Sequence, residues 1–74
     1  MMKILFLGYS RKETNLIDFI KKFKKNIYLK HSKSKLNFKT IKKYDLIICY
    51  GYRHIIESKI IDKFKKNIIN LHIS

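Results

Sequence analysis

The chain has 74 residues and a formal net charge of +13, with hydrophobic residues at 46% and aromatics at 14%. A chain this short buries only about 60% of the surface it exposes when unfolded, which leaves room for one core but not for a complete multi-domain enzyme, while its apolar content is too high for a disordered basic tail. Its one cysteine, Cys49, excludes an internal disulfide framework and a thiolate zinc site and fits a reducing, cytoplasmic setting; no apolar run reaches the eighteen or so residues of a membrane span.

The run Lys3-Ile4-Leu5-Phe6-Leu7-Gly8 is apolar at consecutive positions, which predicts a strand buried on both faces of a parallel sheet rather than a signal peptide. Ser10 and Glu13 then stand at capping-box spacing, with Thr14 as a rival cap. Leu16, Ile17, Ile20 and Phe23 follow at helical spacing, closing in the lysine pairs at 21–22 and 24–25, cations suited to a helix C-terminus. Ile27-Tyr28-Leu29 predicts a second strand, and polar His31 to Lys35 is the least ordered-looking stretch. Phe38 and Ile41 predict a short helical turn, and Tyr44 to Tyr50 a third strand ended by Gly51. Ile56, Ile60, Ile61 and Phe64 mark a second long helix, and Asn67 to Ile73 a fourth strand. With no proline, Gly/Ser linker or repeat, residues 1–74 read as one unit. Strands alternating with helices imply an α/β fold, a Rossmann-like parallel sheet of about four strands with helices on both faces.

In such a sheet the functional groups collect beyond the carboxyl ends of the strands, here Tyr9-Ser10, Tyr50-Gly51-Tyr52 and Asn70-Leu71-His72. A dinucleotide site needs several glycines around the first turn, and Gly8-Tyr9-Ser10-Arg11-Lys12-Glu13 has one, so NAD is not expected; a P-loop is absent as well. Asn70 and His72 are two apart on the last strand, so their side chains leave one face about 7 Å apart. An amide N–H there can hold a carbonyl oxygen and the anion that grows on it, and an imidazole can support the same oxyanion or carry a proton; a strand-end Asn that turns the chain beside a packed His is the structural alternative. Gly51 permits a left-handed turn or a close backbone approach to a planar ligand. Arg53 and His54 read as solvated residues at a helix start, with anion binding as the other option. His31 carries no functional expectation, and Cys49 reads as a small buried hydrophobe. No metal site is expected. Sixteen of the 18 basic residues are lysine and they spread along the whole chain, which favours a solvated surface over a nucleic-acid site.

Together, Asp45-Leu46-Ile47-Ile48-Cys49-Tyr50-Gly51-Tyr52-Arg53-His54-Ile55-Ile56 and Asn67-Ile68-Ile69-Asn70-Leu71-His72-Ile73-Ser74 resemble the formyltransferase family that uses 10-formyltetrahydrofolate, above all its sugar N-formyltransferase branch, with methionyl-tRNA formyltransferase and glycinamide ribonucleotide formyltransferase as further members. The opening Met2-Lys3-Ile4-Leu5-Phe6-Leu7-Gly8 agrees with it. The resemblance implies that the chain is the amino-terminal fragment of a formyltransferase catalytic domain. It implies transfer of a formyl group from the folate to an amine, an amino sugar or an aminoacyl-tRNA, with Asn70 and His72 as catalytic residues and the backbone at Tyr50 and Gly51 lining the pterin pocket. The family's catalytic Asp falls downstream of Ser74, and Asp18, Asp45 and Asp62 all lie upstream, so the isolated chain is expected to be without turnover. Its fourth strand, expected beside the first, is left as an apolar edge. The rival reading is a small basic binding module for nucleic acid or other anionic partners, with affinity that falls steeply with salt.

Overall fold

A strand that is apolar at every position has no face to offer to water, and Met2–Gly8 (β1) accordingly lies inside the sheet with Ile4 to Leu7 buried. The computed structural model describes residues 1–64 and 67–71. After β1 come α1 (Leu16–Phe23), β2 (Ile27–Ser32), α2 (Phe38–Ile41), β3 (Leu46–Tyr50), α3 (Ser58–Lys63) and β4 (Ile68–Leu71). The four strands pair in parallel in the order β2-β1-β3-β4. The alternation read from the sequence is therefore the alternation observed, and each parallel step is made through a segment that carries a helix.

Side chains of β1 and β3 leave the sheet alternately and build two cores. On one face Ile4, Phe6 and Ile48 pack with Ile17 of α1; on the other Leu5, Leu7, Ile47 and Cys49 pack with Ile41 of α2 and with Ile60 and Phe64 at α3. Ile17 and Ile60, at 1% exposure each, pin one helix to each face. All described lysines are exposed. Among the described residues no helix is long and apolar enough to cross a membrane, and no group of His, Cys, Asp and Glu could hold a metal ion.

Several boundaries differ from the sequence expectation. The helix starts at Leu16 behind Asn15, whose side chain makes no cap bond; Thr14 Oγ1 accepts the Leu16 N–H at 3.2 Å. Ser10 and Glu13 do interact, the Ser10 N–H donating to Glu13 Oε1 at 2.9 Å, but they close a separate turn ahead of the helix. β2 runs through His31 and Ser32, because pairing with Phe6 and Leu7 of β1 satisfies backbone groups that the local composition left unassigned. α3 is six residues long rather than a long helix, and Ile56 packs on the core from the loop before it. β4 lies beside β3 and not beside β1, since both ladder edges of β1 are already taken by β2 and β3. It does end the sheet as an apolar edge, with Ile69 and Leu71 exposed.

Candidate active site at the carboxyl edge of the sheet

Register fixes which groups share a face. Leu7, Cys49 and Asn70 form one cross-strand row, and Gly8, Tyr50 and Leu71 the next. Paired residues of neighbouring strands project to the same side, so Asn70 leaves the sheet on the face that carries Cys49 and α3, whereas Tyr50 packs against the α1 face. Asn70 is exposed and lines a cleft of about 410 Å³ whose walls are largely apolar, with Ile55, Ile56, Ile61 and Ile68 among them. His72, its expected partner, lies outside the described residues.

The corner beyond β1 and β3 is built on two glycines. Gly8 has φ +118, and a Cβ there would stand 1.9 Å from the Tyr50 carbonyl oxygen. Gly51 has φ +69, and a Cβ would stand 2.4 Å from the Tyr9 ring. Neither position tolerates a side chain without movement. The contact these glycines permit is between parts of the chain itself: the Tyr9 N–H donates to the Tyr50 carbonyl at 2.9 Å, and the two tyrosine rings meet edge to face with centroids 4.9 Å apart. His31 completes the corner from β2, its Nε2 lying 2.8 Å from the Gly8 carbonyl oxygen and so donating to it. This role for His31 had no signal in the sequence, because it depends on β2 lying beside β1.

A second cleft, of about 350 Å³, opens at this corner between Gly8, Tyr9 and Gly51 on one side and Lys33, Arg53 and His54 on the other. Tyr52 and His54 border both clefts, with ring centroids 5.4 Å apart, and form the wall between them. The Tyr52 hydroxyl donates to the Ser34 carbonyl at 2.6 Å, tying this wall to the loop after β2. Burial raises the Tyr52 phenol above its ordinary value, a Leu36 backbone hydrogen bond opposes that, and nearby Cys49 adds a little, so the hydroxyl is a donor at neutral pH. Arg53 and His54 are not helix caps; both sit in the loop five or more residues ahead of Ile60, exposed at the cleft mouths.

Of the residues singled out in the sequence, the fold therefore gathers Asn70, Tyr50, Gly51 and Tyr9 at one end of the sheet but divides them: Asn70 faces the apolar cleft, Gly51 and Tyr9 the basic one, and the Tyr50 side chain neither. Glu13, overlooked by the sequence reading except as a cap, closes the rim of the basic cleft through an ion pair with Lys33. The Lys33 hydrogen bond, followed by the Ser10 backbone N–H, holds its carboxyl at about 2. Cys49 is buried and its thiol is pushed up to about 11 by desolvation, which leaves it protonated and unreactive, as its place in the strand implied.

Neither family models nor curated proteins give a match to the sequence. Among solved structures the chain is similar to the formyltransferase PseJ from Anoxybacillus kamchatkensis, solved in complex with UDP-4,6-dideoxy-4-formamido-L-AltNAc and tetrahydrofolate. The two superpose with a TM-score of 0.82 at 43% sequence identity, over 97% of this chain and 37% of that one. The chain thus spans little more than a third of the length of the solved enzyme it matches.

Proposed function

We propose that the chain is an amino-terminal part of a formyltransferase like the one it resembles at 43% identity, and that it supplies the donor-side portion of an enzyme moving a formyl group from 10-formyltetrahydrofolate to the amine of a nucleotide-linked amino sugar. The observation that carries the reading is the register Cys49 to Asn70, which sets a carboxamide at the carboxyl edge of the sheet on the wall of an apolar cleft. A flat pterin needs apolar walls with a few polar groups at the edge. Ile55 and Ile56 offer the first, Asn70 and the backbone after Gly51 the second. Tyr50 and Gly51 enter as the backbone that turns the chain into this loop, the Gly51 φ of +69 setting its direction.

The reaction that fits is attack of the substrate amine on the formyl carbon. A carbon–nitrogen bond forms, the carbonyl oxygen becomes an oxyanion, and collapse breaks the bond to the folate nitrogen, which takes up the proton the amine gives away. In this reading the Asn70 amide N–H donates to the oxyanion as it develops, the step at which a fixed donor lowers the barrier most. His72, following Asn70 at strand spacing, is the imidazole that supports the same oxygen or passes the proton. The lone buried thiol of Cys49 suits the cytoplasm, where we place the reaction. A small-molecule amine is favoured over aminoacyl-tRNA because the similar enzyme was solved with a UDP-linked sugar.

The test is titration of the isotopically labelled chain with tetrahydrofolate, read by amide chemical shifts. Shifts centred on Cys49, Tyr52 to Ile56 and Asn70 are expected. An unchanged spectrum at saturating folate, or shifts confined to α1 and β2, overturns the assignment.

A further inference from the structure

Three lysines from two helices meet around one ring. The ammonium groups of Lys42, at the end of α2, and of Lys59 and Lys63, on α3, lie 5.6, 5.6 and 5.7 Å from the centroid of Phe38. Phe38 opens α2 and is partly buried against the core, and the three lysines over it are exposed. One ring face attracts one cation well; three like charges within reach of one ring repel each other, and the acid at hand is Glu57, 3.4 Å from Lys59 in an exposed pair that contributes little. Lys39 lies on α2 itself, whereas the ammonium of Lys43 turns to the Tyr44 ring, 5.9 Å from its centroid. Composition alone spreads the lysines over the whole surface, but the packing of α2 beside α3 concentrates them here.

We infer that this α2–α3 face is a binding surface for single-stranded RNA, with Lys42, Lys59 and Lys63 pairing with successive phosphates and Phe38, uncovered as they swing outward, offering its ring to a base. Flexible cations beside an aromatic face are what a strand without sequence preference requires. An anionic bilayer is a poorer fit, because one half-buried ring supplies too little apolar surface to insert among acyl chains. The surface is distinct from the proposed formyl-transfer clefts and does not depend on that reading: Lys42, Lys59, Lys63 and Phe38 line neither.

The test is fluorescence anisotropy of a labelled oligouridylate with the chain and two triple variants of equal charge change. K42Q/K59Q/K63Q is expected to weaken binding about tenfold or more and to lower the slope of log affinity against log salt by about 2, the share of three phosphate contacts on a single strand. K21Q/K22Q/K24Q, at the end of α1, is expected to change binding less than threefold, and K42R/K59R/K63R to keep it, which separates lost charge from lost folding. Equal losses in the two Gln triples, no binding by the parent chain at low salt, displacement by polyglutamate as effective as by RNA, or tighter binding to phosphatidylserine vesicles than to the oligonucleotide each overturns the inference.

Discussion

Gly51→Ala tests how the corner of the site is built. At φ +69 an alanine adopts a left-handed backbone that costs roughly 1–2 kcal/mol, and its methyl would stand 2.4 Å from the Tyr9 ring, so that ring must leave. Leaving forfeits the edge-to-face pair with Tyr50, worth about 0.5–1.5 kcal/mol. The sum, about 1.5–3.5 kcal/mol, is a large part of what a domain of this size has in hand, and at a urea dependence of about 1 kcal/mol per molar it moves the unfolding midpoint down by about 1.5–3.5 M. The ring term is separable from the backbone term. In a Tyr9→Ala background no ring stands in the way, so Gly51→Ala is expected to cost about 1 kcal/mol less there than in the parent, a coupling that a double-mutant cycle by urea denaturation resolves. Gly8→Ala is the control: its methyl would meet the Tyr50 carbonyl oxygen at 1.9 Å, backbone that cannot swing aside, so Tyr9→Ala brings no relief. If Gly51→Ala costs the same in both backgrounds, Tyr9 is not what the glycine makes room for, and this account of the corner is wrong.

Asn70→Ala is expected to leave stability within about 0.5 kcal/mol, as for an exposed residue, while on the proposed reading it lowers formyl transfer by a full-length formyltransferase that includes these residues roughly 10²–10³-fold, the usual loss of one oxyanion donor; a parent-like rate in a formylation assay refutes its role. Glu13 is held at about 2 from 4.5 by Lys33 and Ser10, so the stability it contributes is present above pH 4.5 and is lost as pH falls through about 2. Urea midpoints taken across that window are expected to fall less steeply for Glu13→Gln, and more steeply for the parent at low than at high salt. For Cys49, raised from 9.0 to about 11 by burial, the fold favours the protonated thiol, so the corresponding stability is present below pH 9 and lost as pH rises to about 11. Cys49→Ala is expected to flatten that alkaline decline, and the native thiol to react with a disulfide reagent only once urea unfolds the chain. Ile17→Ala and Ile60→Ala, each opening a cavity on its own face of the sheet, are expected to cost about 2–5 kcal/mol apiece and to add within about 0.5 kcal/mol in the double variant.

Local patterns along the chain were enough to read the element types and their order. Short apolar runs such as Ile4 to Leu7 and Ile47 to Cys49, each closed by a glycine within two residues, read as strands covered on both sides, and the spacing of Leu16, Ile17 and Ile20 reads as a helix; these are local consequences of burial and of backbone period. The wording from Asp45 to Ile56 and around Asn70 also carries the resemblance to formyltransferases, in a chain whose composition is otherwise heavily biased toward Lys, Ile and Asn. Boundaries were less legible: β2 extends through His31 and Ser32 because β1 supplies partners, and Ser10 with Glu13 form a turn where the motif suggested a cap. Packing of the folded chain was needed to join β4 to β3, to turn Asn70 and Gly51 toward different clefts, to bring His31 to the Gly8 carbonyl, and to bring Lys59 and Lys63 of α3 over Phe38 of α2. Each of those facts is a contact between segments distant along the chain, set by which strand edges were still open and which helices came to lie on one face, and no local pattern carries that information.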